Sequence, residues 1–246
     1  MNRMDYFIAL YGSLPRGGPG DNASTRRAFD MMKHLPPRPR ILDVGCGPGM
    51  QTVELLRLCQ GTVVALDLFP QMIARVREAA EQARVGDRLE TVQADMHDMA
   101  FEPGSFDVVW SEGAIYFLGF EAGLAKVKDL VKPGGYVAVS ESVWLQPDPP
   151  AEAMEFWKGY PEIDFVDRKL EIIAKLGYEP IGHFVLPASS WSELYYEPLA
   201  ARIAEFEPRW RGTAEAEDVL AEARKEIAVF GRCSRYFSYA FFVMRR

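Results

Sequence analysis

The sequence predicts an α/β fold in which helices cover both faces of a mainly parallel sheet. Short apolar runs at 40–44, 62–67, 89–94 and 106–111 alternate with segments of helical spacing, as strands of a parallel sheet do. A glycine-rich turn joins the first run to the helix after it. With 246 residues and 48% hydrophobic residues, the chain has enough apolar surface for one large domain with its own core.

The first half of the chain contains clear helix signals between these strands. A helix at 22–34 has Asp21 or Asn22 as its N-cap and ends at the proline-rich segment 36–39. The next helix, 50–59, follows the glycine-rich turn. Pro70 begins a third helix, in which apolar residues recur at helical spacing.

The second half continues the pattern and then changes it. A helix at 121–131 and the turn Lys132-Pro133-Gly134-Gly135 lead into a fifth strand. The remaining predicted elements are the strand 136–141, a helix at 164–176, a strand at 178–186, a mostly helical segment at 190–230 and a last strand at 236–245.

The most informative segment is the turn Asp43-Val44-Gly45-Cys46-Gly47-Pro48-Gly49. Its glycines allow a sharp turn and a close approach to a ligand. Asp67 ends the second strand about 20 residues later, where a carboxylate can hydrogen-bond a ribose diol. These features predict a cofactor that contains adenosine.

The glycine spacing argues against a nicotinamide cofactor. It reads G-x-G-x-G, whereas the dinucleotide fingerprint reads G-x-G-x-x-G. The Asp43 carboxylate would be repelled by the phosphate groups of a dinucleotide, and it suits a ligand with positive charge.

Five segments in register resemble the class I S-adenosylmethionine-dependent methyltransferases, small-molecule type, of the ubiquinone/menaquinone-biosynthesis kind and its uncharacterised relatives. They are ILDVGCGPG, VVALDLFPQMI, VQADM, FDVVWSEGAIYFLG and LVKPGGYVAVSE, between Pro39 and Glu141. The resemblance implies a Rossmann-like seven-stranded sheet in the order 3-2-1-4-5-7-6, with the last strand antiparallel. In this sequence about forty residues separate the last two strands, and we expect them to form an inserted helical lid.

The resemblance also implies S-adenosylmethionine as cofactor, with S-adenosylhomocysteine as product. Asp67 would hold the ribose, Asp95 the adenine amino group, and Asp43 would stand near the methionine amino group. The implied cofactor residues are Asp43, Gly45, Cys46, Gly47, Gly49, Gln51, Asp67, Leu68, Met72, Asp95, Met96 and Glu112.

The acceptor is expected beyond the fourth and fifth strands and beneath the insertion. Glu141 and Tyr116 are the candidate catalytic residues, with Glu141 or Tyr116 as a base if the acceptor must lose a proton. The candidate substrate-binding residues are Glu112, Trp144, Trp191, Tyr195 and Tyr196. The alternative for the aromatic residues is ordinary core packing, and for Glu112 a surface acid at a helix start.

Composition limits the possible partners. The formal net charge is −7 without a long basic run, so nucleic acid is a poor partner. Three cysteines without C-x-x-C spacing and three scattered histidines predict no disulfide framework and no metal. The sequence has no apolar run long enough for a membrane span and no signal peptide, so we expect a cytoplasmic protein. It leaves the oligomeric state open.

We expect one methyltransferase domain over 1–246, with an N-terminal cap at 1–35, a cofactor-binding core at 36–145 and a lid insertion at 188–231. The leading function is methyl transfer to a small molecule by in-line displacement in a lidded pocket. The alternatives are an RNA or protein methyltransferase and a non-catalytic S-adenosylmethionine-binding protein.

Overall fold

One sheet runs through the centre of the protein, with helices packed on both of its faces. The computed structural model describes residues 1–246. The strands are β1 (Arg40–Val44), β2 (Thr62–Asp67), β3 (Leu89–Gln93), β4 (Phe106–Glu112), β5 (Val131–Trp144), β6 (Asp164–Phe165), β7 (Glu179–Val185) and β8 (Phe237–Arg245). The helices are α1 (Arg3–Tyr11), α2 (Asn22–Asp30), α3 (Met50–Leu58), α4 (Pro70–Gln82), α5 (Phe120–Lys128), α6 (Ala151–Phe156), α7 (Val166–Lys175), α8 (Ser189–Trp191), α9 (Glu197–Trp210) and α10 (Ala214–Cys233).

The strand order is β3-β2-β1-β4-β5-β8-β7, and the two-residue β6 pairs with the end of β5. Strands β1 to β5 are parallel, whereas β8 runs antiparallel to both β5 and β7. Without β6 this is the predicted order 3-2-1-4-5-7-6, so the predicted fold class is confirmed. Since β6 has only two residues, no alternating pattern could have marked it in the sequence.

Successive residues of the central strands point to opposite faces of the sheet. Trp110 and Phe241 enter the larger apolar cluster, which also holds residues of α1, α2, α3, α9 and α10. Val109 and Phe242 enter the second cluster, beside α5 and α7. None of the helices has the length and apolar composition needed to span a bilayer.

Two helices were not predicted from the sequence. One is α6, and the other is α1, which begins with a reciprocal cap: the Asn2 side chain accepts from the Asp5 N–H at 3.0 Å, and the Asp5 carboxylate accepts from the Asn2 N–H at 2.8 Å. In addition, the helix predicted at 22–34 ends at Asp30.

The fifth strand is longer than predicted. It spans Val131–Trp144, and Lys132-Pro133-Gly134-Gly135 forms an irregularity within it rather than the turn before it. Its pairing with β4 shifts register between Phe106 and Val108, which accommodates the extra residues as a bulge does.

The segment between β7 and β8 is helical, as predicted. It contains α8, a π-helical turn (Ser192–Tyr196), α9 and α10. Helices α9 and α10 contact α1. The N-terminal segment and the insertion therefore form one layer, which we call the roof. Closure of this roof over a ligand stays a prediction.

Candidate functional site

A cavity of about 710 Å³ lies between the carboxyl ends of strands β1 to β4 and the roof. Residues that follow each of these four strands line one end of it, as expected for ligand sites in open α/β sheets. Side chains of α1, α10 and the π-helical turn line the other end. The sheet and the roof thus face each other across one continuous space.

The three glycines of the β1 turn have different roles. All have positive φ, at 71° for Gly45, 53° for Gly47 and 94° for Gly49. A Cβ on Gly45 would lie 2.5 Å from the Ala114 methyl, and one on Gly49 would lie 2.4 Å from Val76. A Cβ on Gly47 would meet nothing closer than 3.8 Å. Close packing of protein groups therefore requires Gly45 and Gly49, whereas only the φ angle restricts position 47.

Asp67 stands at the end of β2 and accepts from two backbone N–H groups, Gly47 at 2.9 Å and Phe69 at 3.0 Å. Burial raises the pKa of Asp67, and these hydrogen bonds oppose that effect. The backbone thereby fixes the carboxylate at the cavity wall, and each oxygen keeps a lone pair for a ligand.

Asp95 follows β3 and is half exposed, with 51% of its side chain accessible. Its Oδ1 accepts from the His97 backbone N–H at 2.8 Å and lies 2.9 Å from His97 Nδ1. These contacts hold the pKa of Asp95 below its ordinary value. The carboxylate is therefore charged at neutral pH and faces the cavity beside Leu68, Met72 and Met96.

Glu112 ends β4 and is not a surface acid, because only 4% of its side chain is accessible. It accepts from Arg16 Nη1 at 2.8 Å, Thr25 Oγ1 at 2.7 Å and Trp110 Nε1 at 2.9 Å. It thereby fixes Arg16, a cavity-lining residue that sequence reasoning missed. Arg16 Nε is buried without a hydrogen-bond partner.

The far end of the cavity is an aromatic chamber. Its rings are close to one another: the Trp191 and Tyr239 centroids are 4.8 Å apart, and those of Tyr195 and Tyr196 are 5.1 Å apart. We define the aromatic chamber by Tyr11, Tyr116, Phe156, Trp157, Tyr160, Trp191, Tyr195, Tyr196 and Tyr239, all of which line the cavity.

Tyr116, a candidate catalytic residue, lines this chamber. Burial raises its pKa, and the charges of Glu226 and Glu141 raise it further. The phenol is therefore protonated at neutral pH, so it can donate a hydrogen bond and is a poor general base there.

Glu226 on α10 also lines the chamber and was missed in the sequence. Tyr11 Oη donates to its carboxylate at 3.1 Å. Burial raises the pKa of Glu226. The sequence spacing could have indicated its position. Glu226 lies three residues after Ala223 and four before Phe230, which places it on the apolar face of α10.

Four of the predicted site residues do not line the cavity: Asp43, Gly49, Glu141 and Trp144. Asp43 lies beneath the glycine turn, where Thr52 Oγ1 donates to Oδ2 at 2.6 Å and Oδ1 has no partner. Burial raises its pKa to about 7, and Glu112 and Asp67 add to the shift. Gly49 faces Val76 as described above.

Glu141 and Trp144 miss the cavity because β5 continues beyond residue 141. Glu141 pairs with Ala240 within the sheet, and its side chain points to the face covered by α7. There it lies 3.5 Å from Lys169 Nζ, and both side chains are almost fully buried. Trp144 packs against the larger apolar cluster. Neither residue therefore lines the cavity.

Comparison with known proteins gives the first external evidence. Residues 41–135 match the family described as Methyltransferase domain. A sterol 24-C-methyltransferase of Gibberella zeae is 28% identical over 175 residues, which cover 68% of this chain and 43% of that protein. The chain therefore aligns with less than half the length of this relative.

Solved structures extend the likeness to nearly the whole chain. An S-adenosylmethionine-dependent methyltransferase from Geobacter sulfurreducens, in complex with S-adenosyl-L-homocysteine, superposes with a TM-score of 0.85 at 18% identity, covering 98% of both chains. Geranyl diphosphate C-methyltransferase from Streptomyces coelicolor gives 0.63 at 17% identity, covering 91% of this chain and 80% of that one. At these identities the likeness establishes the fold.

Proposed function

We propose that this chain is a class I S-adenosylmethionine-dependent methyltransferase and that it methylates a small molecule held in the aromatic chamber; the matching family domain and the shared fold support this. The observation that carries the proposal is that one continuous cavity joins two unlike ends. One end offers a glycine turn and two fixed carboxylates, and the other offers apolar rings.

The residues at the strand ends fit S-adenosylmethionine. Asp67 would accept from the ribose hydroxyls, and Asp95 from the adenine amino group, with Leu68 and Met72 packing against the base. The free, buried N–H of Arg16 is suited to the carboxylate of the methionine part. Asp43, beneath the turn, would act on the amino group through its charge and not by contact.

The bound cofactor would supply a sulfonium methyl group that is already activated for in-line displacement. The protein would then need to orient the acceptor and exclude water, and orientation contributes up to about 7–11 kcal/mol in favourable cases. Tyr116 would donate a hydrogen bond to the acceptor. No step of this scheme requires Glu141.

The enclosed chamber supports a small acceptor over a macromolecule. Side chains from α1, α10 and the π-helical turn stand between the chamber and solvent, so a folded protein or a nucleic acid duplex would have to displace the roof. The formal net charge of −7 further disfavours nucleic acid.

The cofactor site is tested by titration calorimetry with S-adenosylhomocysteine. We expect Asp67→Ala to weaken binding by about 1.5–3 kcal/mol, the value of a charge-assisted hydrogen bond. Asp87→Ala, an exposed acid before β3, is the matched control and should bind like the wild type. Unchanged affinity in Asp67→Ala would remove the ribose assignment.

Transfer itself is tested with methyl-labelled S-adenosylmethionine and a metabolite extract depleted of protein and RNA. We expect label in a low-molecular-weight product. Label that appears only when protein or RNA is added back would support the alternative acceptors. Cofactor binding without any transfer would support a non-catalytic protein.

A further inference from the structure

The acidic side chains that line the cavity differ in the groups that stabilise them. Glu112 pairs with Arg16 at 2.8 Å, and Asp95 with His97 at 2.9 Å. Asp67 is held by backbone N–H groups at the cofactor end. Glu226 forms no salt bridge, and no cation contributes to its pKa. It is the one acid of the cavity whose partners are tyrosine hydroxyls alone, without a cation or a backbone N–H.

The groups around Glu226 are phenols and ring faces. Tyr11 Oη is its hydrogen-bond donor, and Tyr196 Oη is buried nearby without a partner. Burial and the Glu226 charge raise the pKa values of Tyr11, Tyr195 and Tyr196. Glu226 therefore lies among aromatic side chains that line the same cavity.

The Glu226 carboxylate and the aromatic rings around it both favour a ligand that carries a positive charge. A carboxylate that is removed from water is stabilised by a cation, and the faces of tyrosine and tryptophan rings attract a cation within about 6 Å. The Trp191 centroid lies 6.2 Å from that of Tyr196 and 4.8 Å from that of Tyr239, and all three side chains line the same cavity as Glu226.

We propose that the aromatic chamber binds an acceptor that carries an alkylammonium group, with Glu226 as its counter-ion and Trp191, Tyr196 and Tyr239 around it. This inference rests on the proposed function, which it makes more specific. It concerns recognition of the acceptor and leaves the methylated atom open.

The test is titration calorimetry with choline and with its neutral isostere, in which carbon replaces the quaternary nitrogen. The protein is first saturated with S-adenosylhomocysteine, which lacks the sulfonium charge. We expect choline to bind at least 10-fold more tightly than the isostere. Equal affinities, or no choline binding, would overturn the proposal without using any variant.

Glu226→Gln keeps the shape and removes the charge. It should weaken choline binding about 10-fold or more and change isostere binding less than 3-fold. Glu215→Gln, an exposed position on the same helix, is the control and should match the wild type. Equal losses for both probes would indicate a hydrogen-bonding or packing role for Glu226 and would overturn the proposal.

A third measurement separates this inference from the proposed function. If S-adenosylhomocysteine itself fails to bind, the proposed function fails, and the choline comparison is then made on the free protein. If Glu226→Gln weakens S-adenosylmethionine relative to S-adenosylhomocysteine while choline is unaffected, the counter-ion belongs to the sulfonium, and the proposal is wrong.

Discussion

At the scale of single residues, the most consequential group is the buried carboxyl of Asp43. It is fully buried, has one hydrogen bond, and has a pKa raised to about 7 by burial and by the nearby Glu112 and Asp67. The unfolded chain would titrate it near 3.8. Between these two values the folded state holds more protons than the unfolded state, so the free energy of unfolding falls as pH rises from about 4 to about 7.

Asp43→Asn should remove that part of the pH dependence. We expect the variant to be more stable than the wild type by about 2–4 kcal/mol at pH 8 and nearly equal at pH 4, because the amide oxygen can still accept from Thr52. Urea unfolding of the cofactor-free protein between pH 4 and 8 measures this. Asp87→Asn is the exposed control. Parallel curves for Asp43→Asn and the wild type would contradict the assignment.

The Arg16–Glu112 pair gives a second residue-scale prediction. Arg16→Met should lower the free energy of unfolding by about 3–5 kcal/mol, because it leaves a buried carboxylate without its cation. Arg16→Met combined with Glu112→Gln should cost less than Arg16→Met alone. Urea unfolding of the wild type, both single variants and the double variant tests this, and a loss in the double variant equal to the sum of the two single losses would show that the pair is not coupled.

The strand-end acids and the roof aromatics Trp191, Tyr195 and Tyr196 were expected at the site from the sequence and line the cavity, whereas Arg16 and Glu226 were not expected there. Asp67 and Asp95 follow strands, and a strand end defines where a side chain lies. Arg16 and Glu226 depend on how α1 and the insertion pack over the sheet, which no local pattern specifies. Glu141 was predicted at the site because the fifth strand was expected to end at residue 141. The strand continues for three more residues, to Trp144, so Glu141 lies buried within the sheet.

At the scale of elements, the glycine turn fixes how closely α3 and α4 approach β1. The Gly49 position faces Val76 of α4, whereas the Gly47 position faces open space. Both glycines have positive φ, so a side chain at either position would strain the backbone. Only a side chain at position 49 would also disturb the packing of α4, and comparing the two substitutions therefore separates these effects.

Gly47→Ala should cost about 1–2 kcal/mol of unfolding free energy through backbone strain alone. Gly49→Ala should cost about 1–3 kcal/mol more, because its methyl group would overlap Val76 and push α4 away. Urea unfolding of both variants gives the difference directly. Equal losses would mean that α4 adjusts without cost.

At the scale of the whole molecule, the roof joins distant parts of the sequence. Gly20 N–H donates to Ser190 O at 3.3 Å, Ser190 Oγ donates to Asp21, and Arg202 Nε donates to Ser13 Oγ at 2.8 Å. These bonds tie the N-terminal segment to the insertion, so the two should close as one unit.

Amide hydrogen exchange tests this closure. We expect exchange in 1–20 and 188–231 to slow when S-adenosylhomocysteine and an acceptor are bound, because both segments line the cavity. Strand β7, away from the cavity, is the internal reference. Protection confined to the glycine turn would show that the roof does not close.

The order of the sheet was predictable because its strands are short, apolar and regularly spaced by helices. The irregularity in β5, the two-residue β6 and the helix α1 were not, since each depends on contacts with distant residues or is too short to show a period. The sequence also predicted helices at 190–230, but not which of their faces would meet α1.

The roof has a consequence for the order in which the protein can be completed during synthesis. Tyr11 and Glu226 share a hydrogen bond in the roof, yet 215 residues separate them in the chain. At about 5–20 residues per second, a ribosome needs roughly 10–40 s to translate that interval. Strands β1 to β5 emerge within it, so a nascent chain has the strand ends that line the cavity long before α10 can complete the roof.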